Sequence, residues 1–99
     1  MDDFIHDGTI PKPRLKDPDS TVDFDIDWSQ WLREGEVVSS SSWLASPGIT
    51  VESDSFTGTA TKILVSGGVV NTEYTLTNRI TTSLGLAEDR SMRVICREK

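Results

Sequence analysis

Ninety-nine residues make one domain with room for a single modest core. Sixteen acidic side chains against ten Lys and Arg give a net charge of −6, and the bases are scattered, which excludes the dense basic patch that nucleic-acid binding requires. One cysteine, Cys96, excludes an intramolecular disulfide, and with one histidine, His6, it cannot supply a zinc ligand set.

Residues 1–21 combine Pro11, Pro13 and Pro18 with five aspartates and the isolated apolar residues Phe4, Ile5, Ile10 and Leu15. Prolines remove ladder donors and favour an extended path, so this segment reads as an extended N-terminal arm. Its four apolar side chains, having no core of their own, are expected to lie along a partner. The acidic Met-Asp-Asp start lacks the basic region of a secretion signal, and no apolar run reaches membrane-spanning length. No membrane contact is therefore expected.

From Val22 to Trp28 apolar and acidic residues alternate strictly. A period of two places Val22, Phe24, Ile26 and Trp28 on one side of a strand and Asp23, Asp25 and Asp27 on the other. The three aspartates also match positions 1, 3 and 5 of a calcium loop, but Trp28 stands where that loop needs glycine. Hydrated strand-face carboxylates, with Arg79 or Arg93 as a basic neighbour, are the expectation. This strand is predicted to reach about Leu32, with a bulge between Trp28 and Trp31 or one half-exposed indole. Glu36 to Leu44 is predicted as a second strand with Val37, Ser39, Ser41 and Trp43 on one face. Ser46-Pro47-Gly48 ends it, and Ile49 and Val51 begin a short strand. Ser53-Asp54-Ser55 and Thr57-Gly58-Thr59 then punctuate the middle of the chain around Phe56.

Further strands are expected over Thr59–Ser66, Thr72–Thr82 and Arg90–Arg97, joined by Gly67-Gly68 and by a connection centred on Gly85. Tyr74, Leu76 and Ile80 share a face, and Tyr74 two residues before Leu76 has the layout of a tyrosine corner. The fold class is therefore all-β: an immunoglobulin-like β-sandwich of about six to seven strands over residues 22–99, preceded by the arm at 1–21. Trp43 is placed like the central tryptophan of such a core, and Ile26 and Leu76 take the facing positions that a disulfide would occupy. Cys96 is expected to be a small buried hydrophobe. No nucleophile–base pair, phosphate cradle or singled-out carboxylate pair appears, so neither an enzyme nor a cofactor is expected.

Lys16-Asp17-Pro18-Asp19, Asp25-Ile26-Asp27-Trp28, Ser40-Ser41-Ser42-Trp43, Ser66-Gly67-Gly68 and above all Tyr74-Thr75-Leu76-Thr77-Asn78-Arg79-Ile80-Thr81-Thr82 resemble the fibre–tail adaptor proteins of tailed bacteriophages. The resemblance covers about residues 16–97. It implies a structural virion protein that joins tail fibres or spikes to the tail and is present in several symmetry-related copies. Its implied partners are a tail tube, nozzle or baseplate component and a fibre or spike, and its implied location is the virion tail, after assembly in the host cytoplasm. Leu84-Gly85-Leu86 departs from the family by placing two apolar residues in a usually polar connection. The expected partner-binding residues are Phe4, Ile5, Ile10, Leu15, Trp31, Leu84 and Leu86. The alternatives are a carbohydrate-binding surface module using an exposed Trp31, or a head-decoration or neck protein.

Overall fold

Alternation decides which side of the strands Thr21–Asp27, Ala60–Gly67 and Glu73–Thr82 turns inward, and two sheets close on the result. The computed structural model describes residues 13–97. The strands are β1 (Arg14–Lys16), β2 (Thr21–Asp27), β3 (Val38–Ala45), β4 (Ile49–Phe56), β5 (Ala60–Gly67), β6 (Glu73–Thr82) and β7 (Ala87–Cys96). One sheet has the order β1-β7-β6-β3 and the other β2-β5-β4, with no helix among the described residues. Taking β2 to β7 as strands B to G, the sheets are B-E-D and C-F-G, the constant-type immunoglobulin arrangement. β1 pairs parallel with β7 and extends the second sheet by one strand.

Phe24 and Ile26 from β2 and Ile63 and Val65 from β5 meet Leu76, Ile80, Met92 and Val94 from the other sheet. Asp23, Asp25 and Asp27 face solvent, as the alternation requires. The tyrosine corner forms: the Tyr74 hydroxyl accepts a hydrogen bond from the Val69 N–H at 2.9 Å. Cys96 is fully buried. Gly68, at φ 98°, lies so close to Cys96 that a Cβ there would collide with its Sγ.

Several expectations are corrected. β2 ends at Asp27, not near Leu32, because Trp31 and Leu32 both donate backbone hydrogen bonds to the Trp28 carbonyl and turn the chain. That turn brings both indoles together edge-to-face, with centroids 5.5 Å apart; no bulge inside a strand is needed, and the other alternative, one half-exposed indole, holds in Trp31. In β3 the register shifts between Val38 and Ser40, so the buried residue is Val38 while Val37 is exposed. Trp28, not Trp43, is the fully buried central tryptophan; Trp43 lies on an edge strand and packs only partly against the core. Ser53-Asp54-Ser55 lies within β4 rather than in a connection. The basic neighbour of Asp23 is Lys62 at 3.7 Å, whereas Arg79 pairs with Asp89 and Arg93 with Glu73.

Within the segment read as an arm, Arg14–Lys16 forms β1. Lys16 is buried, and its ammonium donates to the carbonyls of Asp17 and Gly67 at 2.9 and 2.7 Å, tying the strand to the 67–72 turn. Phe4, Ile5 and Ile10 lie outside the described residues.

Candidate functional site

The two sheets are joined across the core by a closed polar hub. Asn78 on β6 is fully buried, and its Oδ1 accepts from Trp28 Nε1 at 3.1 Å and from the Thr61 hydroxyl at 2.7 Å. Its Nδ2 donates to Ser41 Oγ at 3.0 Å and to the Ser42 carbonyl at 2.9 Å. One amide thus ties β3 and β6 to β5 and to the end of β2, with donors and acceptors all matched. The Arg90 guanidinium covers the Trp28 ring at 4.4 Å and closes this end of the core.

Beyond the hub lies an apolar surface at one end of the strands. Ser83 N donates to the Val37 carbonyl and Thr82 N to the Leu86 carbonyl, which sets Val37 beside the β6–β7 turn. Val37, Leu84 and Leu86 are exposed there, Leu84 by 59%. The loop bearing Val37 is pinned by Glu36, whose side chain is sealed from solvent. Its Oε1 accepts the Arg33 N–H at 2.8 Å and its Oε2 accepts the Thr82 hydroxyl. These bonds, the Arg33 backbone one first, hold the carboxyl below its ordinary range against the opposing effect of burial. Val38 N donates to the Gly58 carbonyl, so the β4–β5 turn after the exposed Phe56 borders the same end.

The turns at 67–72 and 83–86 flank β6, a strand about 33 Å long, and so lie at opposite ends of the sandwich. The 67–72 end exposes Val69 and Val70. Leu15 sits there too, paired with Ile95 and through it with Glu73, the first residue of β6. It is 58% exposed. Between the ends, Asp23, Asp25 and Asp27 line the outer face of the three-stranded sheet. Asp27 caps a turn by accepting the Ser29 N–H at 2.9 Å, and that bond first of all lowers its pKa. Among the described residues no three metal-ligating side chains gather.

Residues 16–95 match the family of the podophage GP4 fiber-tail adaptor protein gp77. The chain belongs to this family. It is a phage fibre–tail adaptor protein, and adaptors of this kind bind other components of the tail. No curated protein matches the chain.

For the adaptor, the residues expected to meet partners fall into separate places. Leu84 and Leu86 come together at one end and Leu15 stands at the other. Trp31 is half-buried, its ring edge-to-face with that of Trp28. Sequence reasoning missed Val37, because the register shift inverts its phase, and Phe56, because β4 shows no alternation. It missed Asn78 as well, although position 78 continues the buried phase of Tyr74, Leu76 and Ile80.

Proposed function

We propose that this adaptor is a structural component of the virion tail that bridges two partners through the opposite ends of its sandwich. Residues 1–15 and the Leu15, Val69 and Val70 end attach to a tail tube, nozzle or baseplate component. The Val37, Leu84 and Leu86 end receives a fibre or spike. The observation that carries this reading is the separation of two exposed apolar surfaces by the length of β6, in a chain of an adaptor family. Apolar residues exposed at a loop tip cost solubility and are retained where something covers them. A joint of this kind works by position, carries no catalytic step and takes several symmetry-related copies, one set for each attachment point.

The test uses particles grown with altered adaptor. Removing residues 1–12 leaves β1 whole, and the shortened chain is expected to fold yet be absent from purified particles. The Leu84→Asp/Leu86→Asp double variant is expected to enter particles that then lack fibres. Normal incorporation of the shortened chain together with full fibre occupancy on the double variant would overturn the two-ended reading.

A further inference from the structure

Among the described residues the two sheets have four edge strands, β1, β3, β2 and β4, and three of them carry devices that stop another strand from pairing. β1 has three residues, follows Pro13 and includes Arg14 and Lys16. β2 presents Asp23, Asp25 and Asp27. β4 holds Glu52 and Asp54 and breaks register between Val51 and Ser53. β3 is unlike them. From Ser40 to Ala45 it runs in unbroken register against β6 and contains neither charge nor proline.

We propose that the β3 edge pairs antiparallel with β3 of a second copy of this chain, fusing two four-stranded sheets into one across a two-fold axis. Charge selects the occupant. Two copies of a chain carrying −6 repel each other, and pairing β2 or β4 with itself would set carboxylate against carboxylate. A basic strand from another protein would be drawn to those acidic edges, whereas β3 offers it nothing. Only the neutral edge suits a like-charged twin.

The backbone fits this partner. Ser46 N donates to the Thr75 carbonyl, so the main-chain groups of Leu44 and Ser42, at even steps from Ser46, also turn toward β6. Those of Ser41, Trp43 and Ala45 turn to the open edge. An axis at Trp43 sets Ser41 of each copy opposite Ala45 of the other, each pair exchanging both hydrogen bonds. On the outer face Leu44, 74% exposed, then lies opposite Ser42 of the second copy. There a hollow of about 330 Å³, bordered by Ser42, Trp43, Leu44, Thr77, Arg79 and Asp89, receives the leucine. The contact repeats reciprocally, as a two-fold interface requires.

Sedimentation of the full 99-residue chain tests this independently of any role in the particle. Between about 10 µM and about 1 mM the mean mass is expected to climb from 11.0 kDa toward twice that value. Leu44→Lys places a cation on each side of the axis, and Ser42→Lys fills the hollow. Each is expected to weaken association at least tenfold while the far-ultraviolet dichroism of a folded sandwich is kept. A mass fixed at 11.0 kDa throughout the range, or a dimer that both lysine variants leave undiminished, would overturn the proposal.

Discussion

Replacing Asn78 by alanine removes four hydrogen bonds at once from a site that solvent does not reach. The Thr61 hydroxyl loses its acceptor, and Trp28 Nε1 keeps only Thr61 Oγ1 at 3.2 Å. Each buried polar group left without a partner costs about 1–3 kcal/mol, and re-pairing of Trp28 with Thr61 recovers part of that. The expected net loss is about 2–4 kcal/mol, a fifth or more of the ~5–10 kcal/mol that holds a domain of this size together. At about 4–8 °C per kcal/mol for such a domain, the melting temperature should fall by roughly 8–32 °C. Asn78→Asp should be at least as damaging, because it turns a carboxylate oxygen toward the Ser42 carbonyl that now receives an N–H. Urea unfolding followed by tryptophan fluorescence gives both free energies, and an unchanged denaturant slope shows that the same surface is being exposed. Trp28→Phe combined with Asn78→Ala should cost less than the sum of the two single changes, since both remove one shared bond. A loss for Asn78→Ala within about 0.5 kcal/mol of the exposed control Thr75→Ala would refute the hub as the tie between the sheets.

Two glycines separate conformation from collision. Gly85→Ala meets only the cost of a positive φ, about 1 kcal/mol, since nothing lies within 4 Å of its Cβ position. Gly68→Ala adds the clash with buried Cys96 and should cost about 3 kcal/mol or more; equal chemical-denaturation losses would show that the 67–72 turn yields freely. Glu36 gives a pH signature. Its folded-state pKa lies below the ordinary 4.5, so its contribution is fully present above pH 4.5 and is lost as pH falls through the lower folded-state value. Glu36→Gln should therefore be less stable at pH 7 yet lose less stability than the parent on acidification below pH 4.5, as read from melts across pH.

The sandwich was legible wherever one face of a strand is buried. β2, β5 and β6 alternate cleanly because the opposite sheet covers one side of each. The start of β4 at Ile49 and Val51 was legible but its continuation was not, because all its residues but Ile49 are exposed and no period is imposed on Ser53-Asp54-Ser55. β1 escaped detection because its buried residue is a lysine, held by carbonyls rather than by apolar contact. Leu84 and Leu86 could be read as surface features because they are apolar residues in a turn. Val37 could not, since a bulge moves it out of phase, and the neutrality of β3 gains meaning only once β3 is known to be an edge. Asn78 had a signal: a polar residue in the buried phase of a strand needs partners, and here Trp28, Thr61, Ser41 and Ser42 supply them.

A reconstruction of the whole particle at side-chain resolution measures the two-ended attachment directly. The account predicts this chain at the junction of tail and fibre, with Leu84 and Leu86 covered by the fibre or spike and Leu15, Val69 and Val70 covered by a different tail protein. Finding the chain in the head or neck, or finding both ends against one and the same partner, would contradict it.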